Sequence, residues 1–267
     1  MKYQASLPQH NDNVSHEHPL KDFLLILCGL AVVGALAFWL LGHAVDWAVD
    51  SLSPEAEARI NRMAAINLPA TPKQEAKREA RVQGLVDAMQ QCAGLGFRPG
   101  LRMHKSDVPN AAVVPGGTII VFTGLLDRVK SENGLSFVLA HELSHIANRD
   151  HLRALGRGIV LFGISAILTG SDSGLTGLMA PAAHLGTAKY SREREALADA
   201  KALQILQCQY GHVGGAAELF ESLKTEDKDT SALTHYFASH PSMQARIDAL
   251  DRAVREHGMQ VGAVRPL

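Results

Sequence analysis

The sequence is poor in cysteine, in aromatic residues and in net charge. Lys and Arg number 26 against 27 Asp and Glu, the formal charge is −1, and only 5% of residues are aromatic. No basic patch or aromatic-interleaved run appears, so a nucleic-acid partner, which needs a cationic surface to meet phosphates, is not expected. Of three cysteines, Cys28 lies inside an apolar segment, leaving Cys92 and Cys208 as the only pair able to bridge. They would be buried thiols in a reducing compartment and a disulfide in an oxidising one. Free thiols are the expectation taken forward. What is present is length: 267 residues hold one sizeable domain with an anchor, or two small domains.

Phe23 to Leu41 (FLLILCGLAVVGALAFWLL) is an unbroken apolar run of 19 residues. At helical rise it covers close to the ~30 Å hydrocarbon core of a bilayer, so it reads as one transmembrane helix. Trp39 and Trp47 stand where interfacial aromatics sit. The run is long for a cleaved signal peptide and no clear A-x-A site follows, and Leu27 before Cys28 argues against a lipoprotein signal. The expectation is an uncleaved signal anchor in a bacterial inner membrane. Lys21 is the cation beside the span on its N-terminal side, and Asp46, Asp50, Glu55 and Glu57 precede Arg59. The positive-inside rule then places the bulk of the chain in the periplasm. The organisation expected is a disordered polar tail over 1–20 (with His10, His16 and His18), a transmembrane anchor over 21–47, a juxtamembrane helix and linker over 48–70, and a folded domain over 71–267.

The centre of that domain is His141-Glu142-Leu143-Ser144-His145. On a helix, residues i and i+4 share a face, so His141 and His145 present two imidazoles able to grip one Zn²⁺. Glu142 is placed to act as general base on a zinc-bound water. Leu135, Val138, Leu139, Leu143 and Ile146 form the apolar stripe of this helix, Ser131 its N-cap and Asn148-Arg149-Asp150 its exit. A surface helix with two solvated histidines is the plainer reading. HExxH at helical spacing is specific enough to outweigh it.

A catalytic zinc needs a third protein ligand. In SREREALADA, Ser191 is an N-cap, and Glu195 and Asp199 are again i and i+4 on one helix face. Glu195 can bind the metal, and Asp199 can accept the ring N–H of a ligating histidine. A solvent-facing helix end with internal Arg/Glu pairs explains the same residues. Spacing alone does not choose between them.

HELSH followed about fifty residues later by SRERE-x3-D resembles the membrane-associated zinc metallopeptidases of the HtpX, Oma and CAAX-prenyl-endopeptidase type. Asn110 to Leu126 (NAAVVPGGTIIVFTGLL) looks like that family's NAF-x-LPGG-x-I-x-V-x-x-GLL segment, with Ala112-Val113 for the usual Phe-Ala. Ser239-His240-Pro241 looks like its THP motif, with Ser for Thr. The landmarks fall in the usual order over about residues 71 to 255. The resemblance implies one Zn²⁺ per chain held by His141, His145 and Glu195, with Asp199 orienting a ligand. It places His240 at the cleft, donating to the oxyanion or capping the metal's open position. As a lone histidine, His240 is otherwise a helix-start or packing residue.

Residues 97–126 hold the β signals: Leu101–His104, Ala111–Val114 and Thr118–Thr123, with a turn at Pro115-Gly116-Gly117. A structural hairpin is one role. The resemblance implies a second, an exposed edge near the zinc where Asn110, Gly117, Thr118 and Ile119 hold an extended peptide through its main chain. Thr71-Pro72-Lys73-Gln74 reads as a capping box opening a helix with Val82, Leu85, Val86 and Met89. Gly158 to Ala188 is apolar and glycine-punctuated. It is expected to fold over the active site as a lid, with a membrane hairpin as the alternative. The last helix carries Met243, Ile247, Leu250 and Val254, and the tail to Leu267 is expected to fray.

The expectation is thus an α+β, mainly helical zincin-type metallopeptidase domain with a small antiparallel sheet behind one transmembrane helix. Its partners would be the lipid bilayer and unfolded or misfolded membrane and envelope polypeptides. The rival is a tethered chaperone-like protein with structural zinc, against which three ligands plus Glu142 form an open pattern. Prenyl-protein processing fits less well, since one span offers no intramembrane chamber.

Overall fold

The computed structural model describes residues 19–65, 70–169, 191–225 and 243–267. The expected polar tail, His240 and most of the expected lid lie outside them. Contacts divide the chain into two units, Met1–Trp47 and Ala48–Leu267. Helix α1 (Pro19–Asp50) fills the described part of the first unit and is long and apolar enough to cross a membrane. Its large apolar side chains, such as Leu25 and Val32, point outward, as a lipid-facing helix requires.

The second unit is built on one buried helix. After α2 (Pro54–Ala65), where Ser53 Oγ accepts the Ala56 N–H at 3.2 Å, a short 3-10 turn leads into α3 (Ala76–Met89). Residues 48–65 fall within this unit. Thr71 does not close the expected capping box. Its hydroxyl bonds the Glu79 carboxylate and accepts the Met103 N–H at 2.9 Å, tying α3 to the first strand.

Three strands follow, β1 (Gly100–His104), β2 (Ala111–Val114) and β3 (Thr118–Phe122), in the order β1-β3-β2. The sheet is mixed, not purely antiparallel: β2 and β3 form the expected hairpin, but β1 pairs with β3 in parallel, Leu101 opposite Ile119. Two chain reversals, at 105–110 and at 115–117, return β3 to the direction of β1. Its apolar sequence TIIVF suits the central, doubly flanked position. The hairpin turn uses Gly116 and Gly117 at φ 110° and 65°, where a Cβ would be strained.

Helices α4 (Thr123–Arg128), α5 (Glu132–Ala147), α6 (Asp150–Thr169), α7 (Arg192–Tyr210), α8 (Glu218–Thr225) and α9 (Met243–Glu256) complete the unit. The sequence of α5 suggests one apolar stripe, yet every residue from Asn133 to Ile146 is buried. It packs most extensively on α7, with α3, β2, α6 and α8 on its other sides. A helix enclosed all round must satisfy its polar groups internally. Ser144 Oγ donates to the Ala140 carbonyl at 2.7 Å, and Ser136 shares a hydrogen bond with Tyr210 at 2.8 Å. Ser131 Oγ caps the helix by accepting the Gly134 N–H at 2.9 Å. Glu218 of α8 accepts from the Lys130 and Ser131 N–H groups at 2.5 and 2.9 Å. Gly134 makes room for it: a Cβ there would sit 2.7 Å from Glu218 Oε2.

Two further expectations are corrected. Cys92 and Cys208 form a disulfide joining the end of α3 to α7 across 116 residues of sequence. They are not free thiols, because the packing of α3 on α7 brings their Cα atoms to 5.9 Å, within bridging range. The C-terminal tail is ordered. Arg265 and Leu267 exchange backbone hydrogen bonds with Glu132 and Lys130 at 2.8 and 3.1 Å, laying the tail along the entry of α5. No apolar periodicity announces such main-chain pairing.

Candidate metal centre

Helices α5 and α7 meet so that His141, His145 and Glu195 turn toward one point. One ligand atom from each lies within 4.8 Å of the others. The Nε2 atoms of His141 and His145 are 3.1 Å apart, and they stand 3.5 and 3.4 Å from the two Glu195 carboxylate oxygens. All three side chains are at most 3% exposed.

Both imidazoles are held from behind. His141 Nδ1 donates to Asp199 Oδ1 at 2.9 Å, and His145 Nδ1 donates to Asp150 Oδ2 at 2.9 Å. With both Nδ1 atoms donating, two Nε2 lone pairs face each other and a carboxylate, an arrangement that calls for a cation between them. At zinc–nitrogen lengths of ~2.0 Å, tetrahedral donors stand about 3.3 Å apart. The observed separations of 3.1, 3.4 and 3.5 Å match that spacing. Two imidazoles and one carboxylate are also the donor set of catalytic zinc, so the residues fit the group.

Each orienting carboxylate has its own arginine. Arg246 of α9 clamps Asp199 through Nε and Nη2 at 2.8 and 2.6 Å, and its Nη1 lies 3.1 Å from Glu195 Oε2. Its guanidinium stacks 4.9 Å from the centre of the Phe220 ring. Arg194, one residue before Glu195, bonds the other oxygen of Asp150.

The electrostatics follow from these contacts. Burial and the Arg246 charge push His141 down, but hydrogen bonds to Asp199 and Glu195 outweigh them and raise it to about 9. His145 is likewise raised: burial opposes, and hydrogen bonds to Asp150 and Glu195 prevail. Burial would lift Asp199, yet Arg246 and His141 hold it down to about 2. Asp199 stays anionic, and protons compete with any metal for the imidazoles.

The expected residues are placed as follows. His141, His145, Glu195 and Asp199 converge. Glu142 is 1% exposed on the same helix and acts electrostatically on His145. Asn110 is buried just ahead of β2, and its carbonyl accepts the Phe122 N–H at 3.0 Å. Gly117 lies in the hairpin turn, while Thr118 and Ile119 are on the central strand with both sides paired. Those two offer no free edge. The outer side of β2 is the edge on the strand that packs against α5.

Asp150 and Arg246 were not foreseen. Asp150 reads in sequence only as part of a helix exit. Arg246 carries a signal that could have found it: it stands at i−4 from Leu250, a cation within the buried stripe of α9, and is 5% exposed.

Comparison with known proteins gives a consistent picture. The model of peptidase family M48 matches residues 76–254, more than half of the chain. A mitochondrial metalloendopeptidase OMA1 of Schizosaccharomyces pombe is 29% identical over 58% of this chain and 47% of its own length. The Bos taurus OMA1 metalloendopeptidase is 31% identical over 66% of this chain and 36% of its own. A protease HtpX homolog of Bordetella pertussis is 27% identical over 87% of this chain and 90% of its own. The chain thus spans half or less of the OMA1 relatives and most of the HtpX homolog.

Proposed function

The chain belongs to peptidase family M48, and from that premise we propose that it is a membrane-anchored zinc endopeptidase acting on unfolded or misfolded membrane and envelope proteins. The observation that carries the reading is the convergence of His141 Nε2, His145 Nε2 and the Glu195 carboxylate, with both rings fixed from behind by Asp199 and Asp150.

His141, His145 and Glu195 would hold the ion. Zinc bound there supplies a Lewis acid that polarises the scissile carbonyl and brings the pKa of water toward neutrality. Glu142 takes the proton of the attacking water and returns it to the leaving amine. Asp199 and Asp150 keep the two rings in the tautomer whose Nε2 carries a lone pair. Arg246 keeps Asp199 anionic and pairs with Glu195. The outer edge of β2 accepts an extended segment through main-chain hydrogen bonds, which are indifferent to side-chain identity and suit a broad range of unfolded substrates. His240 lies outside the described residues; on the family resemblance it would donate to the oxyanion.

An inner-membrane location with the domain in the periplasm is supported by Lys21 ahead of the span and by the Cys92–Cys208 disulfide, which persists in oxidising compartments. Protease treatment of spheroplasts that leaves the C-terminal domain intact would overturn the orientation.

Glu142→Gln tests the chemistry. Casein cleavage should vanish while zinc stays near one per chain. Retained zinc in a wild-type protein that binds casein without cutting it would favour the tethered chaperone-like reading.

A further inference from the structure

One metal-site imidazole is steadied from another helix, and the other from the turn that ends its own helix. We infer that Asp150 is the positioning residue for the His145 imidazole, and that the Arg149–Glu57 ion pair holds the backbone turn that brings Asp150 there. The inference rests on the metal-site reading above and extends the support of that site to residues 48–57.

The carboxylate is fully committed. Asp150 is 1% exposed, with one oxygen accepting from His145 Nδ1 at 2.9 Å and the other from Arg194. With both oxygens engaged, the carboxylate cannot rotate, and the imidazole it holds keeps Nε2 aimed at Glu195. Supporting hydrogen bonds of this kind fix a ligand's tautomer and orientation.

For a residue only five positions after His145 to fold back on it, the chain must break helix α5 and reverse at once. Arg149 does this at φ 57°, the one positive-φ residue other than glycine among the described residues. A branched-off side chain is disfavoured in that conformation, and glycine or asparagine is the usual occupant. Here the side chain repays the strain. Arg149 Nη2 pairs with Glu57 Oε2 at 2.8 Å, and Nη1 donates to the Val49 carbonyl at 3.0 Å. Glu57 is itself buried. One turn into α6, Arg153 Nη2 meets Asp50 Oδ1 at 2.6 Å. Two arginines flanking Asp150 therefore fasten the start of α6 to the segment 49–57. A shift of that segment would reach the metal through the carboxylate between them.

The test is zinc affinity of the full chain in detergent, measured by competition with a chromophoric chelator, beside a thermal melt of each variant. Asp150→Asn should weaken zinc by about 10- to 100-fold, the usual cost of losing such a partner. Asp150→Glu should recover part of the loss. Arg149→Ala should weaken zinc more than Arg149→Gly, because glycine takes the left-handed turn freely. Glu57→Gln should weaken zinc alone but add nothing to Asp150→Asn, since both act through one carboxylate.

Zinc affinity unchanged within about twofold in Asp150→Asn, in a protein where His145→Ala lowers it by the 10- to 100-fold of a lost partner or more, overturns the positioning role. Additive loss in the double variant overturns the link to Glu57. If Asp150→Asn does not fold, the Arg149→Gly against Arg149→Ala comparison carries the test, and equal affinities in the two overturn it. A wild-type chain that holds no zinc takes down the metal reading itself.

Discussion

The two halves of the proposed metal site are alike in chemistry and opposite in origin. His141 leans on Asp199, 58 residues away on α7, and Asp199 is clamped by the buried Arg246 of α9. His145 leans on Asp150, five residues away, and Asp150 is clamped by Arg194, whose side chain is 26% exposed. The first half exists only once three helices have packed. The second is built on one unusual turn, held in place by Arg194 of α7 and by the Arg149–Glu57 pair. A ligand's geometry can thus be secured by global packing or by a short-range strained bend, and this protein uses one of each.

The comparison can be broken at its shared member first. On the proposed reading, Glu195→Gln should reduce zinc from one per chain to nearly none and abolish casein cleavage, by elemental analysis and turnover. Next, the two clamps should differ in stability. Arg246→Ala strands buried carboxylates and should cost about 3–5 kcal/mol in denaturant unfolding. Arg194→Ala removes a partly exposed guanidinium but leaves an oxygen of the buried Asp150 unpaired, and should cost about 1–3 kcal/mol. The disulfide sharpens the contrast further. It ties α7 to α3, so Cys92→Ala with Cys208→Ala should destabilise by about 2–4 kcal/mol and weaken zinc through the His141 half.

The His141 half also responds to pH. The His141 pKa of about 9 lies above its ordinary 6.5, so the stability it gives the zinc-stripped protein is full below pH 6.5 and lost as pH rises through 9. Asp199, at about 2 against 3.8, contributes above pH 3.8 and loses its contribution as pH falls through 2. Zinc affinity should run the other way from the His141 contribution, climbing between pH 6.5 and 9 as the proton leaves. Asp199→Asn should flatten the His141 part of both curves, read by melts of stripped protein and by chelator competition.

The same contrast explains what could be read without coordinates. His141, His145, Glu195 and Asp199 are spaced by helical period, so their faces follow from the sequence, and the caps Ser131 and Ser191 stand where hydroxyls precede helices. Asp150 escaped because its role depends on the left-handed Arg149, and a non-glycine residue gives no sign of that conformation. Arg246 escaped because its partners lie on two other helices. The parallel pairing of β1, the ordered tail and the disulfide share one cause: each is set by which elements meet, and local pattern does not encode meetings.

Gly134 shows how far the consequence of close packing reaches. It carries no functional group, yet any substituent there would strike the Glu218 carboxylate that receives the chain entering α5. A genetic screen scored only on lost proteolysis would not separate a disruptive substitution at position 134 from loss of a proposed metal ligand. Measuring the protein's abundance in the membrane fraction alongside would separate the two, because an inert atom-sized gap fails by misassembly while a missing ligand leaves an intact but idle enzyme.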